Sequence, residues 1–106
     1  MIKRALKIDL GGHNAAFLWG PRKTGKSTLL HQQFPHAKWY DLLNTRLKAS
    51  LLTEPHRLTQ EVIAQKPFVV VIDEIQKIPE LLDEVHWCLE NTKTKFILCG
   101  SSARKL

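Results

Sequence analysis

The 106-residue chain holds only two cysteines, Cys88 and Cys99, and they do not stand at metal-ligand spacing. A disulfide is not expected, and Cys99, inside an apolar run, reads as a small core residue. The five histidines, at 13, 31, 36, 56 and 86, show no ligand spacing either and read as surface or satisfied core residues. No apolar run approaches the ~20 residues of a membrane span. The stretch Met1-Ile2-Lys3-Arg4-Ala5-Leu6-Lys7 is charged but lacks a hydrophobic segment and a cleavage site. It is therefore not a secretory signal, and a cytoplasmic location without membrane contact is expected. Internal repeats and low-complexity tracts are absent.

Acidic residues are scarce, with 10 Asp+Glu against 16 Lys+Arg, so the formal charge is +6 and the pI about 9.6. That balance permits a nucleic-acid partner, although no reading motif is present. Three of the cations, Arg22, Lys23 and Lys26, crowd into one loop where a nucleotide would use them. The others are scattered, with modest groups at Lys3/Arg4/Lys7 and Arg104/Lys105. An apolar fraction of 43% is that of a globular chain, and the length allows one domain over residues 1–106.

What the sequence does have is Gly20-Pro21-Arg22-Lys23-Thr24-Gly25-Lys26-Ser27, the pattern G-x-x-x-x-G-K-[ST] of a phosphate-binding loop. A polyphosphate is held by backbone N–H groups that all point inward. A loop bent that tightly needs glycine where a Cβ would strike the phosphates or where φ is positive, and Gly20 and Gly25 stand at those places. Lys26 can reach the β- and γ-phosphates, and the Ser27 hydroxyl can ligate Mg²⁺. Residues 20–27, with Thr28 next in line, are the nucleotide-binding candidates. The context fits. Ala15-Ala16-Phe17-Leu18-Trp19 before the loop suits a buried strand, and residues 27–34 after it suit a short helix stopped by Pro35.

Residues 2–10 suit a short helix ended by Gly11-Gly12. Ala37–Leu42 reads as a second strand. Asn44 or Thr45 caps a helix through Leu52, with Leu47, Leu51 and Leu52 facing inward. Pro55 opens another, with Leu58, Val62 and Ile63 inward, ended by Gln65-Lys66-Pro67. Phe68-Val69-Val70-Val71-Ile72 is apolar without alternation, as expected of a central parallel strand covered on both faces. Pro79 and Glu80 begin a helix with Leu81, Leu82, Val85 and Leu89 as its buried stripe. Phe96-Ile97-Leu98-Cys99 is a fourth strand. Trp19 and Trp39 read as core aromatics, and Trp87 as packed beside its helix stripe. Strands alternate with helices throughout, so the class is α/β with a parallel sheet.

The buried run ends in Asp73-Glu74. Carboxylates at the carboxyl edge of a parallel sheet lie where such sheets bind ligands. Asp73 would hold Mg²⁺ through a water, and Glu74 would orient and deprotonate an attacking water. The fourth strand leads into Gly100-Ser101-Ser102, where a small hydroxyl can meet the γ-phosphate or the attacking water.

Taken together, Gly-Pro-Arg-x-x-Gly-Lys-Ser, then Ile72-Asp73-Glu74-Ile75-Gln76-Lys77-Ile78-Pro79-Glu80-Leu81-Leu82, then Cys99-Gly100-Ser101-Ser102-Ala103-Arg104-Lys105-Leu106 resemble a prokaryotic group of AAA-superfamily ATPases. The resemblance implies an additional-strand P-loop fold of strand order 5-1-4-3-2. It matches Lys26 and Ser27 to Walker A, Asp73 and Glu74 to Walker B, and Ser101 or Ser102 to sensor 1. It implies ATP and Mg²⁺ as ligands and ATP hydrolysis as the activity, with Glu74, Lys26 and Ser101 catalytic and Ser27 and Asp73 at the metal. Members of the group continue past the Gly-Ser-Ser-Ala-Arg motif, so an incomplete domain is expected here, with strands one to four and no fifth. The first strand would then be an exposed edge, favouring self-association. The competing readings are a non-catalytic nucleotide-binding fragment or gene remnant, and, further off, a small-molecule kinase. Glu74 beside Asp73 argues against the kinase. The absence of an Asn-Lys-x-Asp motif argues against a GTPase.

Overall fold

The computed structural model describes residues 15–20 and 26–101, with side chains for 15–17 and 30–100. The helix expected at 2–10, the loop residues 21–25 and Ser102 lie outside this set.

The arrangement follows from the apolar run at its centre. Val69–Asp73 forms strand β3, and Val69 to Ile72 are all buried. A strand covered on both faces needs neighbours on both sides and helices above and below. β2 (Lys38–Asp41) flanks it on one side and β4 (Lys95–Ser101) on the other, and β1 (Ala15–Gly20) lies beyond β4. All pairings are parallel, and the order is β1-β4-β3-β2. The α/β class and the four-strand order expected from the resemblance are both found.

Among the described residues four helices cover the sheet, α1 (Lys26–Gln33), α2 (Thr45–Thr53), α3 (Arg57–Gln65) and α4 (Leu81–Asn91), with one 3-10 turn at Ile75–Lys77. The chain crosses from β1 to β2 in one direction and returns through β3 to β4 in the other. Right-handed crossovers then force α1 onto the face opposite α2–α4. The two cores show this. Val70, Ile72, Phe96 and Leu98 pack with Leu51, Leu58, Val62, Leu81, Val85 and Cys88 of α2, α3 and α4. Val69, Val71, Ile97 and Cys99 pack instead with Leu30 of α1.

Helix ends obey local chemistry. Asn44 Oδ1 accepts from the backbone N–H of Arg46 and Leu47, capping α2. Lys66, at φ 49°, closes α3 in the left-handed region, and its N–H donates to Val62 O. Side chains then tie the elements together. The Tyr40 hydroxyl on β2 donates to Glu61 Oε1 of α3 at 2.5 Å. Glu61 also meets Lys38 at 3.9 Å and Arg57 at 3.7 Å. Burial, and then the Glu61 carboxylate, push the Tyr40 phenol far above its ordinary range. Thr59 Oγ1 donates to Glu84 Oε1 at 2.6 Å, joining α3 to α4. Burial raises the nearby Cys88 thiol.

Several expectations need correction. Leu52, Ile63 and Leu82, expected in the core, are exposed. Each follows a buried apolar residue by one position, about 100° around the helix, and the apolar stripe is too narrow for both. Cys88 fills the α4 stripe instead, while Leu89 is only partly buried. Phe68 is not in β3. It precedes the strand and is 72% exposed. Trp39 is half-buried and stacks on His31 of α1, ring centroids 3.9 Å apart, and Trp87 is exposed. β4 runs to Ser101 rather than ending at Cys99, because its pairing with β1 continues to that residue. Among the described residues, no helix is long and apolar enough to cross a membrane.

Candidate functional site at the carboxyl edge of the sheet

The strand ends of a parallel sheet lie along one edge, and register decides which residues meet there. Gly20, the last residue of β1, pairs with Ser101, the last of β4. One strand over, Asp73 ends β3 opposite Cys99 of β4 and opposite Asp41 of β2. β1 leads to α1 on one face, whereas β3 leads to α4 on the other. Connections that part in opposite directions open a crevice at the carboxyl edge, where such sheets bind ligands.

The sequence-derived candidates distribute as follows. Gly20, Asp73, Glu74 and Ser101 gather at this edge. Lys26, Ser27 and Thr28 are the first three residues of α1. A helix start presents unsatisfied N–H groups and the positive end of its dipole, which suits an anion. Pro21, Arg22, Lys23, Thr24 and Gly25 lie outside the described residues.

Asp73 is half-buried, and its backbone O accepts from Leu42 N at 3.1 Å, which ties the ends of β2 and β3 together. Glu74 is 2% exposed, unusual for a glutamate. Its backbone is left-handed, at φ 64° and ψ 47°. A non-glycine residue held there costs about 1–3 kcal/mol and persists only where the surroundings over-determine it. Here the surroundings are the 3-10 turn that follows. Lys77 N donates to Glu74 O at 3.0 Å, and Ile75 and Ile78, both buried, pin the turn to the core. Gln76 Nε2 donates to Glu74 Oε1 at 2.5 Å.

Two residues at this edge were not anticipated. Asp41 brings a second carboxylate level with Asp73, and its Oδ1 accepts from Leu43 N at 3.0 Å. Gln76 reaches back over Glu74, a contact that depends on the left-handed backbone and has no signature in spacing. Among the described residues there is no group of three or more His, Cys, Asp and Glu that could hold a metal ion. A hollow of about 470 Å³ between α3, α4 and the start of β4 lies at the opposite, amino edge of the sheet and contains none of the motif residues.

A family model described as "AAA domain" matches residues 12–106. No curated protein and no solved structure matches the chain.

Proposed function

Since the chain belongs to the AAA domain family, one of nucleotide-binding, ATPase-type domains, we propose that it binds Mg²⁺-ATP at the carboxyl edge of its sheet and hydrolyses the terminal phosphate. The observation that carries this reading is the convergence at one edge of Gly20, Ser101, Asp73 and the buried Glu74, on the sheet whose other face element is α1.

In this reading Gly20 to Gly25 wrap the phosphates with backbone N–H groups. Lys26 lays its ammonium against the β- and γ-phosphates, and Thr28 adds a contact at the helix start. The Asp73 carboxylate and the Ser27 hydroxyl are hard oxygen donors suited to Mg²⁺. A site with so few protein ligands fits an ion that keeps waters and takes phosphate oxygens as partners. When bound, Mg²⁺ supplies neutralisation of the charge that builds on the phosphoryl oxygens. Glu74 holds the attacking water and takes its proton as the O–P bond forms, while the ADP oxygen leaves on the far side. Ser101, which pairs with Gly20 in the sheet, supplies a hydroxyl to the γ-phosphate or that water in this reading.

The test is a pair of variants. Glu74→Gln keeps Mg²⁺-dependent ATP binding and abolishes turnover, and Lys26→Ala loses binding. Turnover unchanged in Glu74→Gln would remove Glu74 from the mechanism. A folded wild-type chain that binds no ATP would refute the whole reading. Self-association belongs to the same proposal, because among the described residues β1 has a strand on one side only and carries an exposed Phe17. Sedimentation velocity should show mass rising with concentration, and a monomer at all concentrations would contradict it.

A further inference from the structure

The proposed chemistry leaves one contact at the site unused. Gln76 Nε2 donates to Glu74 Oε1 at 2.5 Å, between residues only two apart. Residues two apart on a helix do not face each other. Here the left-handed Glu74 precedes the turn at Ile75–Lys77, with Ile75 and Ile78 as anchors in the core, and the two side chains meet. Gln76 itself is exposed and belongs to neither core. Its amide would be equally well hydrated without Glu74, so the bond serves the buried carboxylate rather than Gln76 itself.

We propose that Gln76 is a positioning residue for hydrolysis: its amide fixes the plane of the Glu74 carboxylate so that the base faces the attacking water. The inference rests on Glu74 being that base. A carboxylate's terminal torsion is broad, and a donor on one oxygen removes that freedom. Geometry of this kind matters to rate, since a displacement of about 1 Å in a catalytic group costs on the order of 100-fold. The residue type is informative too. A lysine or arginine in the same place would make a charge-assisted bond about twice as strong and weaken the carboxylate as a proton acceptor. A neutral amide orients the base without neutralising it.

The experiment measures steady-state ATP hydrolysis and Mg²⁺-ATP affinity of the full chain in four forms: wild type, Gln76→Ala, Glu74→Asp and the double variant. Gln76→Ala is expected to lower kcat about 10–100-fold with KM and affinity unchanged and cooperative melting retained. On the Glu74→Asp background, where a carboxylate shortened by one methylene still turns over slowly, the same change should have no further effect, because residues acting as one unit are not additive. Gln76→Lys should also lower kcat, although it keeps a donor. An unchanged kcat in Gln76→Ala, or an equal fall on both backgrounds, overturns the inference and leaves the hydrolytic reading intact. Loss of cooperative melting in Gln76→Ala assigns the residue to the fold and also overturns it. Absence of turnover in the folded wild type overturns both together.

Discussion

Leu30 is the only side chain of α1 in the buried core among the described residues, and it is completely enclosed. Truncating it tests whether α1, with the candidate phosphate site at its start, is held to the sheet by that contact. Leu→Ala changes in cores cost about 2–5 kcal/mol, depending on how far the site collapses. Full enclosure argues against the bottom of that range. The half-buried Phe34 and Trp39 beside it can relax inward, which argues against the top. Leu30→Ala should therefore cost about 3 kcal/mol, a large share of the roughly 5–15 kcal/mol typical of a domain. With a urea slope near 2 kcal/mol/M, the midpoint falls by about 1.5 M. Leu52→Ala is the control. It is the same substitution on an exposed site and should stay within about 0.5 kcal/mol. Equilibrium urea denaturation followed by circular dichroism reads both. A fall below about 0.5 M for Leu30→Ala, or an equal fall for Leu52→Ala, would refute the assignment of α1 to that core. ATP affinity should drop in Leu30→Ala and hold in Val62→Ala, which weakens the opposite core.

Asn44→Ala removes the acceptor of two N–H groups at the start of α2 and should cost about 1 kcal/mol, read as a fall of about 4–8 °C in thermal midpoint. An unchanged midpoint would show that water replaces the cap. Tyr40 titrates far higher folded than unfolded, where its ordinary value is 10.0. Folding thus favours the neutral phenol. That stability is fully present below pH 10 and is lost as pH climbs from there toward the folded value. Cys88, also raised, acts in the same direction from its ordinary 9.0. Tyr40→Phe should be less stable at neutral pH, for want of the bond to Glu61, and should lose less stability than wild type between pH 10 and 12. Parallel pH curves for the two would refute the coupling.

Much of this was legible in the sequence, for identifiable reasons. Val69–Ile72 and Phe96–Cys99 announce buried strands because a parallel centre needs apolar residues at every position. Asp73 and Glu74 stood out because they end such a run downstream of a phosphate-loop pattern. Strand order was not readable from composition or periodicity and came from the resemblance alone. The adjacent pairs 51/52, 62/63 and 81/82 misled in one way: hydrophobicity does not say which of two neighbours the sheet will cover, and in each pair the first is buried. The left-handed Glu74 was hidden because positive φ is advertised by glycine or asparagine, not glutamate. Its bond from Gln76 was hidden with it.

The stack of His31 on Trp39 joins α1 directly to β2. An indole's emission depends on what touches its ring, so any shift of α1 against the sheet changes the light it returns. Trp87 stands exposed on α4, on the other face, and reports a different environment. The helix that begins with Lys26 and Ser27 therefore carries an intrinsic optical gauge, and with Trp19 and Trp87 replaced by phenylalanine its movement can be followed without a dye or a label.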